Sequence, residues 1–126
     1  MAEEEMVNAE QAEQPGGLSV VVTTPDDSIR VVTAAGEIDH HTGDTLRQAL
    51  EVSDTLSPRV VVELSQVTFM DSSGINVLLA ARRALSEAGG CLRLAAAADS
   101  VLRTLQLVGL DTIIDCHETL HQALSN

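Results

Sequence analysis

From residue 18 to residue 124 the sequence alternates between two hydrophobic rhythms, and that alternation narrows the available folds more than any other feature. Runs of β-branched apolar residues give way to stretches whose apolar residues recur every third or fourth position. These are the patterns of strand and helix. Residues 18–24 and 29–35 read as two strands joined by the turn Pro25-Asp26-Asp27-Ser28, an antiparallel hairpin. Gly36-Glu37-Ile38-Asp39 closes it. A helix is expected over about 41–53, with His41 or Thr42 as its cap and Leu46, Ala49 and Leu50 as its apolar stripe. Pro58 marks the next break. Residues 60–64 are almost continuously apolar, as in a strand buried on both faces of a parallel sheet. Asp71-Ser72-Ser73-Gly74 then leads into a helix to about residue 88, with Ile75, Leu78, Leu79 and Leu85 on its inner side and Arg82 snorkelling at the margin. Gly89-Gly90 stops that helix. A strand follows at 91–95, and then a helix capped by Asp99 or Ser100 that runs through Val108 to Gly109. A short strand at 112–115 and a helix at 118–124 complete the pattern. The order β-β-α-β-α-β-α-β-α defines an α/β domain. Its sheet is mixed but mostly parallel, with right-handed crossovers, packed helices and one antiparallel edge strand.

The 126 residues suffice for one domain with a real core. Residues 1–17 stand apart, with Glu3, Glu4, Glu5, Glu10 and Glu13, no basic residue, and the ending Pro15-Gly16-Gly17. This reads as a disordered acidic N-terminal tail before a domain spanning 18–126. Seven basic residues against nineteen acidic ones give a net charge of −12. Such a chain repels polyanions, so nucleic acid and anionic membrane are poor partners, and a basic protein surface is the better one. Phe69 is the only aromatic residue, so there is no platform for base stacking. No apolar run reaches the roughly 18 residues of a membrane span and no signal peptide precedes the domain, so the expected compartment is the cytoplasm. Cys91 and Cys116 lack metal-ligand spacing and read as buried thiols. They are expected at different heights on neighbouring strands, too far apart for a disulfide. No nucleotide or metal motif appears.

Loops that follow the carboxyl ends of parallel strands share one edge of the sheet. The loop 36–41 follows the second strand and the loop 70–73 follows the third, so Asp39 is expected near Ser72. A serine at a helix start lies beside outward-pointing amide groups that tolerate a phosphate. The same Asp71-Ser72-Ser73-Gly74 is also what an ordinary N-cap looks like. The residues alone leave both readings open.

The segments Gly36-Glu37-Ile38-Asp39-His40-His41-Thr42 and Phe69-Met70-Asp71-Ser72-Ser73-Gly74-Ile75 resemble the two signature segments of STAS-domain anti-sigma factor antagonists, the SpoIIAA/RsbV-like proteins. Val108-Gly109-Leu110 is similar to a third family segment. The resemblance covers about residues 18–124. It implies a bacterial, non-enzymatic regulator of transcription in stress response that works by partner switching. The unphosphorylated antagonist binds an anti-sigma factor and releases the sigma factor. The anti-sigma factor is also a serine kinase that inactivates the antagonist, and a PP2C-type phosphatase resets it. The resemblance makes Ser72 the phosphoacceptor. Asp39, Asp71, Ser73, Gly74 and Asn76 become the neighbouring, partner-binding residues. No cofactor is expected on this chain, since ATP and Mg2+ would belong to the partner kinase. Asn76 departs from the small residue usual at that place, which bears on the identity and affinity of the partner.

Two other readings compete. One is a STAS scaffold module in a sensory complex, never phosphorylated. The other is a serine hydrolase pairing Ser72 or Ser73 with His40 or His41, although the Gly-x-Ser-x-Gly elbow is missing.

Overall fold

In the computed structural model the described residues are 17–26, 28–51 and 59–125. They form five strands, β1 Leu18–Asp26, β2 Ile29–Ile38, β3 Arg59–Met70, β4 Cys91–Ala95 and β5 Asp115–His117. The helices are α1 Gly43–Leu50, α2 Ser72–Glu87, α3 Asp99–Leu107 and α4 Leu120–Ser125, with a 3-10 turn at Leu110–Thr112. The chain is an α/β domain with the element order that the hydrophobic pattern predicts. The acidic segment up to Gly16, Asp27 of the first turn, the expected end of the first long helix and the Pro58 break lie outside the described residues.

The sheet order is β1-β2-β3-β4-β5. β1 and β2 are antiparallel, and every other pairing is parallel. Each crossover therefore steps one strand in the same direction. Right-handed crossovers of that kind lay their helices on one face. Leu46 and Leu50 of α1, Leu78 and Leu85 of α2, and Val101 and Leu105 of α3 are all buried in one cluster with Val32, Val60, Val62 and Leu94 of the sheet. The opposite face is covered by α4, whose Ala123 packs with Ile29, Val31, Val61 and Ala95.

Two strands are longer than expected. β2 includes Gly36, Glu37 and Ile38, which the sequence reading assigned to a closing loop, and β3 runs on past residue 64 to Met70. The reason is a pair of register irregularities, between Thr33 and Ala35 and between Gly36 and Glu37. Beyond them the buried residues of β3 fall at Leu64, Val67 and Met70, three apart rather than two. Strict alternation is lost where a bulge adds a residue, and the strand ceases to look like one.

The last strand is also displaced. It was expected over 112–115 and lies at Asp115–His117. Gly109 takes a left-handed conformation, φ 77°, and starts a tight turn in which the Thr112 hydroxyl donates to the Gly109 carbonyl at 2.7 Å and Ile114 N–H donates to the Leu110 carbonyl at 2.9 Å. That turn overrides the β-propensity of Ile113 and Ile114, and buries Ile114 as a core plug instead. Cys116 consequently lies within β5, opposite Leu94, rather than after it. Cys91 begins β4, three residues from Leu94, so the two free thiols stand about 10 Å apart along the strand direction alone.

Candidate functional site

Ile38 and Met70, the last residues of β2 and β3, pair directly. Asp39 and Asp71 therefore leave the sheet side by side, and the Asp71 N–H donates to the Ile38 carbonyl at 3.1 Å. Both aspartates then do the same local work. Asp71 is the N-cap of α2, its carboxylate accepting from Ser73 N–H at 2.8 Å. Asp39 caps the turn before α1, accepting from His41 N–H at 2.9 Å and Thr42 N–H at 3.1 Å on the same oxygen. Each binds the amides two or three residues ahead, the usual reach of a capping side chain.

The Asp39 carboxyl is held below its ordinary value. Partial desolvation works against ionisation, but the amide donors of His41 and Thr42 outweigh it, with the Thr42 hydroxyl close by at 3.3 Å. The second capping candidate, Thr42, does stand at the N-cap position of α1, yet its side chain caps nothing in that helix. Its hydroxyl looks backward, to the Glu37 carbonyl at 2.7 Å and the Asp39 N–H at 2.9 Å.

Ser72 is the first residue of α2. It is exposed, and its hydroxyl has no hydrogen-bond partner among the described residues. Ser73 is half-buried and turned toward α1. A Cβ placed on Gly43 would lie 3.9 Å from the Ser73 Cβ. Gly74 is buried where the start of α2 rests on the two strand ends. A Cβ there would come within 2.7 Å of Ile38 Cγ2 and of Met70 Cγ, so only glycine lets the helix approach this closely. Asn76 lies one turn further on, exposed on the outward side with Ser72.

The two histidines are exposed and rest against each other, ring centroids 4.0 Å apart. No hydrogen bond joins either ring to Ser72 or Ser73 among the described residues. No cluster of three potential metal ligands occurs among those residues either.

The edge is acidic. Glu37, Asp39 and Asp71 gather there, and Asp99 begins α3 after the neighbouring strand. Arg47 of α1 is occupied by Asp44 at 3.3 Å and Glu51 at 3.0 Å. Below the edge, a groove separates part of α1 from α2. The groove, of about 270 Å³, is lined by Leu50, Val77, Ala80, Ala81 and Ala84 between Arg47 and Glu51.

Two features escaped the sequence reading. One is the backward reach of Thr42. The other is Phe69, 48% exposed beside Glu37. With Met70 facing the core, its neighbour in the strand faces the opposite side of the sheet. An apolar residue on a strand normally suggests core, so pattern alone gives no sign of this.

Likeness to known proteins bears on this geometry. The family model described as STAS domain matches residues 20–123. An anti-sigma-F factor antagonist, RsfB, of Mycobacterium tuberculosis is 31% identical over 109 residues, 85% of this chain and 88% of that protein. An anti-sigma F factor antagonist of Paenibacillus polymyxa is 29% identical over 99 residues, 77% of this chain and 85% of that protein. The crystal structure of an anti-sigma factor antagonist from Mycobacterium paratuberculosis superposes with a TM-score of 0.79 at 32% identity, covering 89% of this chain and 95% of that one. The strand order, the paired strand ends carrying Asp39 and Asp71 and the match over nearly the whole described chain agree: the protein belongs to the STAS domain family.

Proposed function

We propose that this chain is an anti-sigma factor antagonist controlled by phosphorylation of Ser72. Unphosphorylated, it binds an anti-sigma factor through the edge formed by Asp39, Asp71, Ser72, Ser73, Gly74 and Asn76, and so releases a sigma factor. The bound partner is also a serine kinase, which carries the ATP and Mg2+ and transfers a phosphate to Ser72. A PP2C-type phosphatase removes it. The chain acts in the cytoplasm by binding, as a substrate of other proteins' chemistry. Among the described residues no helix is long and apolar enough to cross a membrane.

The observation that carries this reading is the contrast between two adjacent hydroxyls. Ser72 is exposed and unbonded, whereas Ser73 is half-buried against α1. A kinase can reach the first without disturbing the fold. A phosphate adds about −1.5 to −2 charges at pH 7. Asp39 and Asp71 flank that position, and each like-charge pair at about 4 Å costs from ~1 kcal/mol in water to ~4 kcal/mol at a surface-like dielectric. A tenfold change in affinity needs only about 1.4 kcal/mol. One phosphate on this edge is thus sufficient to end a complex. The names of the relatives support the partner class.

The test uses a purified anti-sigma factor kinase from the same organism, ATP and Mg2+, with intact-mass detection. Wild type and Ser73→Ala are expected to gain one phosphate, and Ser72→Ala none. In pull-downs, wild type and Ser72→Ala retain the kinase and Ser72→Asp loses it. Labelling of Ser72→Ala at the wild-type rate would overturn the assignment.

A further inference from the structure

Thr42 is the only buried polar residue among those described. A buried hydroxyl is costly unless both its proton and its lone pairs are used. Here they are used in a particular way. The single proton goes to the Glu37 carbonyl, the nearest acceptor at 2.7 Å, and a lone pair accepts the Asp39 N–H at 2.9 Å. With the proton engaged there, the 3.3 Å approach of the hydroxyl to Asp39 Oδ1 is a contact and not a second donation. Meanwhile the Asp39 carbonyl accepts from Thr42 N–H at 3.2 Å and Gly43 N–H at 2.8 Å, and its Oδ1 accepts from the His41 and Thr42 amides. The amide, the carbonyl and Oδ1 of Asp39 are therefore all engaged within the turn, Thr42 holding the amide through its hydroxyl, and Asp39 Oδ2 has no partner among the described residues.

We propose that Thr42 is a positioning residue: its buried hydroxyl latches the end of β2 to the start of α1 and so fixes the Asp39 carboxylate, one oxygen tied and one free, on the edge beside Ser72. An N-cap role would have needed a hydroxyl facing forward, toward the amides of α1. This one faces backward, and a side chain that spans five residues to the strand end holds the geometry of the loop between. The relevance of the latch to partner recognition rests on the functional reading of Ser72. The latch itself does not.

The test uses the full chain with Thr42→Val, which keeps the shape and removes the hydroxyl, and Thr42→Ser, which keeps the hydroxyl. Two measurements by NMR read the latch without any partner, the exchange rate of the Asp39 amide and the titration of the Asp39 carboxyl. In Thr42→Val the amide is expected to exchange at least about tenfold faster, and the carboxyl to titrate nearer its ordinary value, while the methyl signals of Leu46 and Leu78 stay in place. Thr42→Ser is expected to behave as wild type in both. In phosphorylation by the kinase, Thr42→Val is expected to slow and Thr42→Ser to recover. Unchanged exchange and titration in Thr42→Val would overturn the latch. If that variant does not fold, rapid exchange of the Asp39 amide in the folded wild type would overturn it equally. If the NMR shifts occur but wild-type protein accepts no phosphate, the latch stands and the functional reading of Ser72 falls. If the NMR shifts occur and Thr42→Val is phosphorylated as fast as wild type, the latch does not serve recognition and that part of the proposal fails.

Discussion

Asp39 and Asp71 occupy equivalent places at the ends of adjacent strands, and both act first as caps. Capping and charge can be separated, because asparagine caps nearly as well as aspartate. Asp71→Ala is expected to lower stability by about 1 kcal/mol in urea titration, and Asp71→Asn by only a few tenths. Asp39 adds a dependence on pH. Its carboxyl is depressed in the folded state, so between that value and the unfolded value near ~3.9 the unfolded chain binds more protons. The stabilisation is fully present above the unfolded value and is lost as pH falls through the folded one. Asp26, depressed by the Ser28 amide and hydroxyl, behaves alike. Comparing wild type with Asp39→Asn, the stability gap is expected to be constant from pH 5 to 7 and to shrink below pH 4. A gap that widens in acid would contradict the assignment. The convergence of the two loops that carry Asp39 and Asp71 was legible in the sequence, because parallel topology alone brings them to one edge. The direction of the Thr42 hydroxyl was not. A threonine before a helix reads as a cap, and only the length of β2 puts the Glu37 carbonyl behind it.

Among the elements, those with unbroken periodicity were placed correctly along the chain, although Leu79, expected on the inner side of α2, is exposed. β4, at Cys91–Ala95, falls where the sequence reading placed it, and α2 ends at Glu87, one residue short of the expected end. The discrepancies occur where a local device interrupts the period. In β2 and β3 the device is the shifted register, and before β5 it is the Gly109 turn. α4 was legible as a helix, but the face it covers was not, since the crossover rule governs only helices that connect parallel strands. Its Ala123, fully buried, packs with Ile29, Val31, Val61 and Ala95, and its Leu120 and Leu124 are partly buried against the same cluster. Small-to-large changes in a packed contact typically cost about 1–3 kcal/mol. Ala123→Leu is expected to cost an amount in that range by denaturant unfolding, while leaving Ser72 phosphorylation intact, because α4 lies on the face away from α1 and α2.

At the scale of the molecule, the charge of −12 and the acidic edge act together on association. An acidic surface accelerates the approach of a basic partner, and salt removes the effect as the screening length falls from about 8 Å at 0.15 M to 3 Å at 1 M. Stopped-flow association with the anti-sigma factor is expected to slow at least about tenfold between 0.05 and 0.5 M NaCl, with dissociation changing much less. An association rate indifferent to salt would count against an acidic recognition surface. The fold also decides how such an experiment can be built. Gly17 is bonded to Glu37 at the carboxyl edge, so whatever precedes it joins the domain beside Asp39 and Ser72. α4 instead carries the chain back over the far face toward the amino ends of the strands, with Ala123 lying over Ile29 and Val61. A fluorophore or affinity handle fused ahead of Gly17 would crowd the edge proposed to dock the partner and report on it. The same group fused behind Ser125 would anchor the protein to a sensor surface with that edge turned toward solution.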